Sequence, residues 1–150
     1  MRRISFCFFT ALLFAISFSL PQHALAIAKF NTKFQNYYRV DPDGNTHVSF
    51  VIDQINNLSV VYATDFGLNI NETKVSSVKV SDEGIIVIPD VVKTLNQTTI
   101  SFTFANKVVG KDKDHSFIIE YDTTDIATKF GNTWQVNIPV NKRSNSEGNY

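Results

Sequence analysis

Two histidines, His47 and His115, are the side chains of this sequence best suited to acid–base chemistry near neutral pH. With Asp53, Asp65 and Ser49 they supply the parts of a nucleophile–base–orienter triad. Their surroundings argue against one. No glycine-flanked serine forms a nucleophile elbow, and neither histidine has a second ligand at metal spacing. Each stands at or near the start of an alternating apolar–polar run, where a polar residue is ordinary. Asp41, Asp43 and Asn45 form the other cluster, and alternating oxygen side chains resemble the opening of a calcium loop. The loop's sixth-position glycine stands fourth here as Gly44, Pro42 stiffens the second position, and the twelfth is Ile52, not glutamate. A plain turn accounts for all five residues from Asp41 to Asn45. The sequence therefore predicts no catalytic residue, no cofactor-binding residue, no metal ligand and no enzymatic activity for this chain.

Thiol chemistry has no place after the first few residues, because the single cysteine is Cys7. Disulfides, thiolate zinc sites and a cysteine nucleophile are excluded from everything downstream. Tyr37, Tyr38, Tyr62, Tyr121 and Trp134 are enough aromatics for a carbohydrate platform, but most obey a period of two and are expected in strands and core. Asn57-Leu58-Ser59, Asn71-Glu72-Thr73 and Asn96-Gln97-Thr98 fit the acceptor pattern for N-glycans in a eukaryotic secretory pathway. Lys107 to Asp114 alternates in sign near its end and reads as a solvated loop.

The address is written at the start. Met1-Arg2-Arg3, an apolar run from Ile4 to Leu20 and Ala24-Leu25-Ala26 have the parts of a secretory signal peptide. Pro21, Gln22 and His23 interrupt the run, which is short for a membrane span; a tether follows only if the segment stays uncleaved. Cys7 precedes most of the run and is not placed as a lipoprotein cysteine. Residues 1–26 are thus expected to be removed and the rest to be secreted or displayed at the cell surface. Without Arg2 and Arg3, acidic residues outnumber basic ones by two, so no electrostatic footprint for nucleic acid or anionic membrane exists.

The elements that must position any site read as strands. Phe30 to Tyr37 alternates, Asp41 to Asn45 is a dense turn signal, and Val48, Phe50 and Ile52 share one face of the following run. This predicts a β-hairpin. Further strands are expected over 58–70, bent at Gly67, and over 74–80, 84–88, 98–105, 116–122 and 133–138. Asp90 to Leu95 has room for one helical turn, although Val91 and Val92 are poor helix formers. No sustained helical stripe occurs, so crossover helices for a parallel sheet are lacking. The fold predicted is an all-β antiparallel β-sandwich of about seven to eight strands over 27–140, with Phe50, Phe102, Phe104, Ile119 and Trp134 in its core. Residues 141–150 form a polar tail or linker.

Several segments also resemble a known family. They are Tyr37-Tyr38-Arg39-Val40, Asp43-Gly44-Asn45-Thr46-His47-Val48, Tyr62-Ala63-Thr64-Asp65-Phe66, Phe104 to Lys111, Asp125 to Lys129 and Trp134 to Pro139. Together they are similar to the N-terminal β-domain of exported bacterial transglutaminase-like proteins, especially those of small-genome, candidate-phylum bacteria. The likeness spans Phe30 to Pro139 in diffuse strand-and-turn patterns. In that family the β-domain precedes a papain-like domain with a Cys-His-Asp triad, none of which has a counterpart here. The resemblance implies a non-catalytic accessory module whose partner is a neighbouring domain or an extracytoplasmic protein. The alternative is a stand-alone secreted carbohydrate- or peptide-binding protein, which needs exposed aromatics or an open sheet edge.

Overall fold

A computed structural model describes residues 29–139 except Val61, and among these every regular element is a β-strand. The expected signal segment, residues 1–26, and the polar tail, residues 141–150, lie outside the described residues. The strands are β1 (Phe30–Val40), β2 (Thr46–Asn56), β3 (Tyr62–Ile70), β4 (Val75–Asp82), β5 (Ile85–Val87), β6 (Asp90–Lys93), β7 (Thr98–Val109), β8 (Asp114–Thr123), β9 (Ala127–Phe130) and β10 (Thr133–Val136). A five-stranded sheet runs β1-β2-β8-β4-β5, a three-stranded one β3-β7-β6, and β9 pairs with β10 alone. All pairings are antiparallel. The chain is an all-β sandwich.

The predicted hairpin is present. Asp41 donates its N–H to the Asn45 carbonyl at 2.8 Å, and Gly44 donates to the Asp41 carbonyl at 2.9 Å. Asp43 Oδ1 accepts the Asn45 N–H at 3.0 Å, so an aspartate closes the turn by the local bond its short side chain favours. Gly44 has φ +89°, and a Cβ there would lie 2.6 Å from the Trp134 ring. Trp134 is therefore no core residue. It lies half-buried on this turn because β10 pairs only with β9, and the Lys129 ammonium sits 5.7 Å from its ring.

The other four expected core residues are buried: Phe50, Phe102, Phe104 and Ile119. Alternation explains how. Val48, Phe50 and Ile52 on β2 and Phe117, Ile119 and Tyr121 on β8 face inward, with intervening residues on the other face. Across the sandwich, Phe66 reaches Phe117 at 4.7 Å between ring centres, and Phe104 reaches it at 5.2 Å, both edge-to-face.

Four segments depart from expectation. Residues 90–93 are a strand, not a helical turn: the β-branched Val91 and Val92 pair with Ile100 and Thr99. β9 was not foreseen, since Ala127–Phe130 has no apolar–polar alternation. The irregularity in β3 falls between Ala63 and Asp65 rather than at Gly67. Lys107 to Val109 continue β7, so only the middle of the expected loop is loop.

Candidate functional site

His115 and His47 were expected to be plain strand residues near the strand starts, and the structure separates them. His115 opposes Gln54 and faces inward. Its Nε2 lies 2.6 Å from Asp82 Oδ1, with both side chains enclosed, at 2% and 0% exposure. The two atoms are in close contact but do not form a well-directed hydrogen bond. Nδ1 sits 3.3 Å from Glu83 Oε1, and Phe104 packs edge-on against the ring at 4.6 Å. Asp82 Oδ2 accepts the Ala105 N–H at 2.6 Å. This group therefore ties β8 and β4 of one sheet to β7 of the other. Both imidazole nitrogens face carboxylates.

His47 lies on the outer face of the five-stranded sheet, opposite Asp122 on β8. Nδ1 approaches Asp122 Oδ1 at 2.8 Å, and Nε2 is 3.8 Å from Glu120 Oε1. The hydrogen bond from His47 is the main reason the Asp122 carboxyl is held below the usual aspartate range. The carboxylates that the described contacts place on the histidines are Asp122 and Glu120 for His47 and Asp82 and Glu83 for His115, not the Asp53 or Asp65 drawn from sequence. The true partners, Asp82 and Asp122, are distant in sequence and become neighbours only through strand pairing.

A second polar group closes one end of the sandwich. Glu72, between β3 and β4, is 5% exposed, and Tyr121 and Thr46 are fully buried. Burial, reinforced by the nearby Asp125 charge, raises the Glu72 carboxyl above the usual range despite the Tyr121 hydroxyl beside it. Burial also raises the Tyr121 phenol. Asp125 behaves oppositely. Burial would raise it, but N–H donors from Lys74 and Thr73, the Thr73 hydroxyl and the Lys74 ammonium together lower it. The Thr73 and Lys74 N–H bonds measure 2.7 and 2.9 Å, so Asp125 clamps the β3–β4 connection to the end of β8.

Among the described side chains, Tyr37, Tyr38, Tyr121 and Trp134 share no platform. Tyr121 is buried, Trp134 lies on the hairpin turn, and successive residues Tyr37 and Tyr38 point to opposite faces of β1. What the surface does present is apolar. Ile85, Ile86, Ile88, Val92 and Leu95 are all exposed, Ile88 and Leu95 at 93% and 95%. They lie along one margin, where β5 ends one sheet and the chain crosses at Pro89 to β6, the edge of the other. Beside them is an open depression of about 330 Å³ lined by Asp65, Ile88, Asp90, Ser101, Phe102 and Thr103. The opposite margin of the larger sheet is β1. There Phe34 is 40% exposed, because three strands are too few to cover five.

The chain matches no protein-family model and no curated protein.

Proposed function

We propose that this chain is an exported β-sandwich interaction module that docks a neighbouring domain or an extracytoplasmic protein through its β5–β6 margin. The observation that carries this reading is the run of five exposed large apolar side chains from Ile85 to Leu95. Large apolar side chains grouped along one margin are costly to leave in water, and in soluble proteins such groups mark interfaces. Ile85 and Ile86 face opposite sides of β5, so this margin offers apolar surface on both faces. Export rests on the signal-like residues 1–26. On the resemblance stated above, the docked neighbour is a transglutaminase-like domain, and the module itself performs no chemistry.

Carbene footprinting of the protein in its native extracytoplasmic setting and after purification tests the docking. The module predicts that Ile86, Ile88 and Leu95 are shielded in the first and labelled in the second. Equal labelling in both contradicts it. Assays for amine incorporation and for ester and peptide cleavage address the absence of chemistry: turnover abolished by His47→Ala or His115→Ala overturns that part.

A further inference from the structure

β1 is paired on one side only among the described residues. Its eleven residues match β2 one to one, from Phe30 opposite Asn56 to Val40 opposite Thr46, with no bulge. The direction of its free groups follows from the two ends of that ladder. Asp41 donates its N–H to Asn45, and Lys29 offers its carbonyl to the Asn57 N–H at 2.9 Å. In an antiparallel strand both polar groups of a residue point to one side, and those of the next residue to the other. Odd-numbered residues of β1 therefore address β2. Phe30, Thr32, Phe34, Asn36, Tyr38 and Val40 turn their N–H and C=O groups to the open edge.

The remaining edges are blunted by familiar devices. β5 has three residues and stops before Pro89, β6 has four, and β3 is broken between Ala63 and Asp65. β9 and β10 have four residues each, and β7 and β4, which run past β6 and β5, belong to ladders broken at Ala63/Asp65 and Ser76/Lys79. Among the described strands, β1 offers the longest open row in unbroken register. A row at strand spacing is complementary to another extended polypeptide, not to a sugar or a compact surface.

The side chains beside that edge narrow the occupant. β1 carries Lys33 and Arg39 on its outer face and no carboxylate. Asp53 of β2 stands across from Lys33, and Asp41 Oδ1 lies 3.4 Å from Arg39 Nε, whose side chain is still 72% exposed toward a further strand. On the inward face the half-covered Phe34 leaves apolar surface for a neighbour to bury. Opposite charges directly across a strand pair stabilise and like charges destabilise. A second copy would bring the same two cations to the seam. We propose that the outer edge of β1 is a strand-acceptor site for an extended segment of a partner protein, with acidic residues alternating with apolar ones. This site is separate from the β5–β6 margin and does not depend on it.

The test uses the purified protein and an acetylated, amidated peptide as long as β1 that alternates glutamate with valine. A lysine–valine analogue and a glutamate–valine peptide N-methylated at alternate residues are the controls. Binding is read by calorimetry and by residue-resolved amide exchange. The expected result is slower exchange at Thr32, Phe34, Asn36 and Tyr38, with the odd-numbered amides unchanged. The lysine analogue binds about tenfold more weakly, as two reversed cross-strand charge pairs imply. The N-methylated peptide loses binding. Asn36→Pro removes an outward N–H without touching the β2 ladder and weakens binding about tenfold or more. If that variant does not fold, the Lys33→Glu/Arg39→Glu pair decides, because it reverses the preference between the two charged peptides. Three results overturn the proposal: no binding of the glutamate peptide, binding that leaves the even-numbered amides unchanged, or self-association of the protein through β1. None of them alters the footprint expected at Ile86 and Ile88.

Discussion

The two edges of the five-stranded sheet are opposites. β1 is long, regular and polar, with only Phe34 and Tyr37 as exposed large apolar side chains. β5 is short, ends at a proline and belongs to a margin of exposed isoleucines. One edge keeps its hydrogen-bonding row and hides little apolar surface; the other has almost no row and shows apolar surface instead. Both arise from one shortage. Three strands cannot cover five, and the sequence places different residue types where cover runs out. The difference teaches that an exposed sheet margin is not one kind of surface: backbone complementarity recognises a strand, and apolar area recognises a shaped face.

The comparison presumes a core that holds both edges, and the largest effect tests that. Phe117→Ala removes a fully buried ring in contact with Phe66, Phe102 and Phe104. It should cost about 3–5 kcal/mol by urea unfolding, lowering both edges together. A change that freed one edge only would break the idea of a shared core. Gly44→Ala should come next, at about 1–3 kcal/mol, since it combines positive φ with a collision against Trp134. Adding Trp134→Ala should recover part of the loss, and the effect should be confined to the β1 hairpin end.

Two carboxyls at that same end should give opposite pH profiles. Glu72 titrates above its unfolded value, so ionising it penalises the folded state as pH rises through the ordinary carboxylate range. Glu72→Gln should match the parent in acid and exceed it above that range. Asp125 titrates below its unfolded value, so its stabilisation is present above the ordinary carboxylate pKa and lost as pH falls through the folded one. Asp125→Asn should be weaker at neutral pH and converge with the parent in acid. Unfolding midpoints across the pH range check both signs. The smallest effect sharpens the other edge: Ile86→Asp, on a 74% exposed side chain, should change stability by no more than about 0.5 kcal/mol while abolishing docking.

Much of this architecture was legible where local chemistry acts alone. Turn residues Asp41 to Asn45 specify the hairpin, and strict alternation assigns the faces of β2 and β8. Trp134 was misplaced because alternation shows which face a residue occupies, not which sheet the strand joins. Asp90 to Lys93 gained its strand from pairing with Thr98 to Ser101 across the short turn at Thr94 to Gln97, a local hairpin hidden because Asp-Val-Val-Lys shows no alternation. The buried His115–Asp82 pair was invisible for a different reason: the partners sit on β8 and β4, and only register brings them together. The open edge of β1 required the topology, since nothing in a strand's own residues tells whether one neighbour or two flank it.

Residue-resolved amide exchange of the protein without any peptide tests the central contrast most directly. The account predicts that Asn31, Lys33, Gln35, Tyr37 and Arg39 are protected by the β2 ladder. Thr32, Phe34, Asn36 and Tyr38 should exchange at nearly the rate of an unstructured chain. Equal protection of both sets would mean that the outer edge of β1 is already paired, and would contradict the account.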